Sequence, residues 1–176
     1  MKRAYRLRAL ESLYADLRSD DFDHREHALF QLALLLRRNR NAADIDKQPD
    51  YVVGNLPRDL LRLRLSAEEK RQAIEQLTRV IHAHPASRAT AIWALGEAEA
   101  AFALEPLLGR IIELDNQLHN EAAFQTCVAL ARWLSPPAAQ GLNLAGLRVI
   151  LKKWAGSKDA RLANAAGDLL AQLPAL

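Results

Sequence analysis

A triplet of apolar residues that returns at a nearly fixed interval constrains this chain more than any other feature. Leu77, Val80 and Ile81 correspond to Leu108, Ile111 and Ile112 after a shift of 31 residues, and those to Leu147, Ile150 and Leu151 after a shift of 39. A second series joins Ala94-Leu95 to Ala129-Leu130 at a shift of 35, and approximately to Leu169-Leu170. Within each triplet the i, i+3, i+4 spacing is that of one helix face. A lone helical hairpin cannot cover its apolar face, so intervals of this size predict hairpins that stack into a continuous core. Composition points the same way. Ala and Leu supply 32 residues each of 176, whereas Val, Ile and Thr together supply 15. Unbranched side chains lose little rotamer freedom in a helix, and β-branched ones favour strands, so a substantial sheet is excluded.

The hydrophobic period places helices at about 3–18, 23–38, 67–83, 87–98, 104–115, 118–134, 143–155 and 159–172. Asp23 with Glu26, and Ser66 with Glu69, read as capping boxes. Between Asn39 and Asn55 the pattern fails, with Pro49 and Gly54 marking a long connection; Pro57 opens a short helix that pins Leu60, Leu61 and Leu63 to the core. Ser135-Pro136-Pro137 marks a further break. We therefore expect a single domain overall, with residues 1–66 as an atypical N-terminal helical cap and residues 67–176 as the regular repeats.

Net charge is +3 but unevenly placed. Residues 1–64 carry 13 basic and 10 acidic groups, residues 65–115 carry 5 and 8, and residues 116–176 carry 6 and 3. A dedicated nucleic-acid binder shows a stronger basic stripe than this. The one cysteine, Cys127, excludes an internal disulfide and a multi-cysteine zinc site. The most apolar stretch, Ala28 to Leu36, is interrupted by Gln31 and too short to span a bilayer. The expected setting is cytoplasmic, without membrane contact.

The segment Arg88-Ala-Thr-Ala-Ile-Trp-Ala-Leu-Gly-Glu97, followed by Ala103-Leu-Glu-Pro-Leu-Leu108, resembles a HEAT repeat, specifically the HEAT-like repeat of the phycobilisome-lyase type. That family has an Arg-x-x-Ala-x-x-Ala-Leu-Gly helix, a short turn, and Ala-x-x-Pro-Leu-Leu opening the next helix. The match is good over residues 88–114 and weaker over 119–154 and 158–173, while residues 1–66 share only helicity. With Pro106 in a first turn, its missing N–H would lack an intrahelical partner anyway. The resemblance and the repeat together imply an all-α fold: a right-handed superhelical α-α solenoid of about four helical hairpins, HEAT/armadillo-like. Similar repeats serve as partner-binding scaffolds, chromophore-lyase subunits, di-iron hydroxylases and alkylated-base excision proteins.

No constellation adds a recognisable chemistry. The di-iron members use adjacent His-Glu pairs; here Glu26-His27 is reversed, and Asn120 separates His119 from Glu121. His24, His82 and His84 read as surface or capping histidines, so no metal site is expected. Cys127 lies in an apolar helix without a partnered base and reads as core. Among the tryptophans, Trp93 falls in a core pattern, while Trp133 and Trp154 adjoin Arg132 and Lys153 and leave base stacking open. Arg37-Arg38-Asn39-Arg40-Asn41 reads first as cations at a helix C-terminus and second as a phosphate-binding knuckle with Lys2, Arg3, Arg6 and Arg8 nearby.

The expectation is a module without cofactor or catalytic residue that binds a protein partner along a helical ridge. Arg88, Gln125, Arg132, Arg161 and Asn164 are its candidate contacts, and Tyr51, Val52 and Val53 in the long connection are a second candidate. The alternatives are a nucleic-acid-binding repeat protein, with alkylated-base excision as its enzymatic form, and a chromophore-lyase-type subunit. Oligomeric state is not legible.

Overall fold

The computed structural model describes residues 2–40, 63–134 and 144–173. Among these it forms eight α-helices and no strand: α1 (Lys2–Leu17), α2 (Phe22–Arg40), α3 (Ala67–Ala83), α4 (Arg88–Gly96), α5 (Ala100–Leu114), α6 (Asn120–Trp133), α7 (Leu144–Ala155) and α8 (Ala160–Gln172). Short 3-10 turns at Pro85–Ser87 and Asp115–Gln117 precede α4 and α6. The long connection with Tyr51, Val52 and Val53, the helix at Pro57, and the Ser135-Pro136-Pro137 break lie outside the described residues. Leu63 is buried, as expected.

The cap at Ser66 forms as read: the Glu69 N–H donates to Ser66 Oγ at 3.2 Å, and the Ser66 N–H donates to the Glu69 carboxylate at 2.6 Å. The cap expected at Asp23 does not form. Asp21 takes that place, its Oδ1 accepting from the His24 N–H at 3.0 Å, and Asp23 lies inside the first turn. Asp20 and Asp21 stand just before Asp23, and it is the Asp21 carboxylate that satisfies an orphan N–H. Glu26 instead accepts from Thr90 Oγ1 of α4 at 2.6 Å.

Helix α5 starts earlier than the residue 104 expected from the hydrophobic period, because Ala100 and Ala101 extend it; alanine has the best intrinsic helix propensity. Pro106 is therefore in the helix interior, not in its first turn, and removes the bond to the Phe102 carbonyl.

Contacts order the helices. α1, α3, α5 and α7 touch in succession, as do α2, α4, α6 and α8, and each odd helix packs on the even helix that follows it. One apolar cluster runs through both series from Leu10 to Leu173. Leu29, Leu32, Leu77, Ile92, Leu95, Leu107 and Ile111 are fully buried within it, each contributing about 1.5–3 kcal/mol of transfer free energy. Small residues set the spacing between even helices. A Cβ placed on Gly96 would lie 3.1 Å from the Ala129 Cβ, so α4 and α6 approach as closely there as side chains allow. One member of the apolar triplets departs from the core: Ile112 is exposed, whereas Ile81 and Leu151 are buried.

Two buried arginines link the hairpins in the same way. Arg25 donates from one terminal nitrogen to the Ser19 carbonyl, just past α1, at 2.6 Å, and from Nε to Ser87 Oγ, just before α4, at 2.8 Å. Arg88 donates from Nε to the Ile81 carbonyl at 2.8 Å, in the last turn of α3, and to the Gln117 carbonyl, ahead of α6, at 2.9 Å. Each arginine thus satisfies a backbone carbonyl at the end of the preceding helix and reaches the turn that opens the next even helix. The last carbonyls of a helix have no intrahelical donor, so a forked cation suits them.

Candidate interaction face

The even helices carry the most distinctive exposed chemistry. Phe30 of α2 and Trp93 of α4 stack with ring centroids 5.7 Å apart and planes 21° apart. Phe30 remains 45% exposed, and Trp93 is half-buried. Glu26 meets Thr90 on one side of this pair, and Arg37 and Arg40 meet Glu97 on the other. The order of these contacts shows that α2 and α4 lie side by side in the same direction. A strip therefore runs along the face: a carboxylate, an aromatic pair, then arginines.

Glu97, just past the end of α4, holds the arginine end together. Its side chain is only 5% exposed and faces Arg132 of α6 at 2.6 Å, Arg40 at 3.1 Å and Arg37 at 3.8 Å. Arg40 and Arg132 also donate to the Gly96 carbonyl, at 2.9 and 3.4 Å, and the Trp133 indole N–H donates to the Ala98 carbonyl at 3.2 Å. The exposed backbone oxygens at a helix C-terminus carry partial negative charge, which favours cations there. Three guanidiniums nevertheless face one carboxylate, so positive charge is in excess.

Toward α8 the face changes character. The Arg161 guanidinium pairs with Glu121 at 3.0 Å and lies 5.1 Å from the Phe124 ring centroid. A hydrogen bond from Gln125, and then the Arg161 charge, hold the Glu121 carboxyl below the ordinary glutamate range. This pair is exposed, and such pairs contribute ~0–1 kcal/mol.

The five residues expected to contact a partner divide accordingly. Arg88 is a correction: it is buried and engaged by carbonyls, because an arginine opening an even helix points into the junction between hairpins. Gln125 is half-buried and bonded to Glu121. Arg132 and Arg161 are exposed but paired, and Asn164 is exposed on α8. Of the tryptophans, Trp133 and Trp154, left open by the sequence, are buried, and Trp93 packs against the core but stays half-buried, with its ring on Phe30. A charged neighbour in sequence lies about 100° away around a helix and does not predict exposure.

Phe30, Arg37, Arg40 and Glu97 were not singled out together from sequence as one site. A signal existed. Arg25-Glu-His-Ala-Leu-Phe-Gln-Leu32 and Arg88-Ala-Thr-Ala-Ile-Trp-Ala-Leu95 share Arg-x-x-Ala-(Leu/Ile)-aromatic-x-Leu at a shift of 63. The long connection doubles the ordinary interval and hides the match. Phe30 and Trp93 occupy the same place in it, which is why they meet.

Elsewhere, an open cavity of about 310 Å³ is lined by Asn116, Leu118, Asn120, Lys153, Trp154 and Ser157, among others, between the start of α6 and the end of α7. Lys153 reaches across it to Asn116 Oδ1 at 2.9 Å. Burial pushes the Cys127 thiol up to about 12, so the thiolate needed for nucleophilic chemistry is suppressed at neutral pH. His119 caps α6, its Nδ1 accepting from the Ala122 N–H at 3.2 Å. Among the described residues no group of three or more His, Cys, Asp and Glu could hold a metal ion, and no helix is long and apolar enough to cross a membrane. No protein-family model, no curated protein and no solved structure matches this chain.

Proposed function

We propose that this chain is a HEAT-like repeat scaffold, an α-α solenoid of about four hairpins without catalytic activity, that binds another protein across the face made by α2, α4, α6 and α8. The observation that carries this reading is the stack of exposed Phe30 on half-buried Trp93, beside the arginines gathered on Glu97. Exposed aromatic and arginine side chains held in place by their neighbours are the residue types that dominate binding energy at protein interfaces. The repeated contact order of the helices supports the solenoid, because each hairpin buries its apolar face on the next.

The nucleic-acid reading has less support. Glu26 stands on the same strip as the aromatic pair, and a carboxylate there repels a phosphate chain. Base excision gains nothing beyond that strip, and a lyase role gains nothing from the residues around the cavity. The test is affinity capture with quantitative mass spectrometry, using wild type, Trp93→Ala and Arg132→Glu. Loss of specific proteins with both variants supports the scaffold; an unchanged set removes its basis. A parallel titration with a short DNA duplex, showing tight binding that falls steeply with salt, would replace this reading with the nucleic-acid one.

A further inference from the structure

We propose that the strip formed by Phe30, Trp93, Arg37, Arg40 and Arg132 docks an acidic linear segment of the partner protein, with carboxylates on the arginines and an apolar side chain on the aromatic pair. This rests on the scaffold reading above and adds the chemistry of the partner.

Charge complementarity selects the occupant. Arg37 and Arg132 keep 44% and 41% of their side chains exposed although both face Glu97. A guanidinium has five N–H donors, of which Arg132 uses those on one terminal nitrogen for Glu97 and the Gly96 carbonyl, while Arg37 faces Glu97 through Nε at 3.8 Å. Their outer edges are thus already oriented, which lowers the ordering cost of accepting a carboxylate. Bidentate geometry suits that acceptor.

Beside the arginines, Phe30 offers an exposed ring and Trp93 a half-buried one, a surface on which an apolar side chain gains by losing water. Glu26 lies one helical turn before Phe30 and gives the strip a polarity. Its Oε1 is buried without a hydrogen-bond partner. An acidic segment therefore binds in one sense, with its carboxylates at the Glu97 end. A continuous phosphate backbone would have to cross Glu26, whereas a peptide can place a neutral or basic residue there.

The probe is a fluorescein-labelled peptide of Asp and Glu with a central Leu-Phe pair, titrated with the full chain and followed by anisotropy at low and moderate salt. We expect saturable binding that weakens with salt, and affinity about tenfold lower for Arg132→Glu and for Arg37→Glu. Arg132→Gln and Arg37→Gln serve where reversal disturbs folding, which circular dichroism monitors. Trp93→Ala should abolish the preference for this peptide over one lacking Leu-Phe. Lys152→Glu on α7, with the same charge change, should leave affinity unchanged.

The proposal is overturned if folded wild type does not bind the peptide, if a lysine-substituted peptide binds equally well, or if a DNA duplex binds tighter through the same arginines. Sedimentation showing a dimer dispersed by Arg132→Glu also overturns it, by making a second copy the occupant. Failure of the peptide alongside variant-sensitive capture of a protein leaves the scaffold reading standing. Failure of that capture strikes the scaffold reading itself.

Discussion

Replacing Arg88 by alanine should remove one of the two clasps that join successive hairpins. The side chain is 5% exposed, so almost all of its interactions are made away from solvent. Its bond to the Ile81 carbonyl is buried, and a buried charge-assisted bond contributes about 2 kcal/mol. The bond to the Gln117 carbonyl at 2.9 Å is partly buried and adds about 1 kcal/mol. Longer contacts to the His82 carbonyl and the Gln117 side chain, at 3.3 and 3.4 Å, add little. The expected loss is therefore about 3 kcal/mol, or roughly 6–12 °C in Tm for a chain of this size. Urea and thermal unfolding followed by far-UV circular dichroism measure it directly. Arg88→Lys should recover only part of the loss, because an ammonium cannot reach both carbonyl sites with a planar fork. Arg161→Ala, which breaks an exposed pair, should change stability by less than about 1 kcal/mol. An Arg88→Ala variant within about 1 kcal/mol of wild type would refute the clasp argument, and with it the parallel role given to Arg25.

Gly96→Ala should destabilise by about 1–2 kcal/mol in chemical denaturation, since the added methyl meets Ala129 at 3.1 Å; a gain would show that α4 and α6 can separate there. Pro106→Ala should stabilise by about 1–3 kcal/mol, because it restores the bond to Phe102 and removes a ring clash in α5, less the greater freedom of the unfolded chain; a lower Tm would contradict this. Burial opposes ionisation of Glu69, but the Ser66 N–H and Arg6 outweigh it and hold its carboxyl below the ordinary glutamate range. That group therefore stabilises the fold above the ordinary range, and the contribution is lost as pH falls through its depressed value; a Glu69→Gln variant should show a flatter acid limb in a pH series of unfolding. Cys127 should react with a disulfide reagent near neutral pH only as fast as the chain opens, and rapid labelling of the native protein would contradict its 1% exposure.

The helices were readable because their apolar residues keep a helical period, and the Ser66–Glu69 box because it is wholly local. Sequence failed where several local solutions competed. Asp20, Asp21 and Asp23 all suit a cap; the folded chain uses Asp21, and Glu26 meets Thr90 of another helix instead of closing a box with Asp23. Pro106 misled in the same way, since proline favours a first turn but the two preceding alanines and the packing of α5 carried the helix past it. The candidate site was less legible than the fold. A surface arginine and a clasping arginine look alike along a helix: Arg88 reaches forward to the Gln117 carbonyl, whereas Arg132 reaches back to the Glu97 carboxylate. The Phe30–Trp93 pair depends on two segments that the long connection separates.

The account stands most directly on where a bound partner covers the chain. Oxidative footprinting of the captured complex against the free protein reads this residue by residue. Protection should fall on Phe30 and Trp93, with no change at Ile112 and Val149 on the odd-numbered helices, both exposed in the free chain. Protection of Ile112 and Val149 with Phe30 and Trp93 unchanged would contradict the even-helix face as the site of binding.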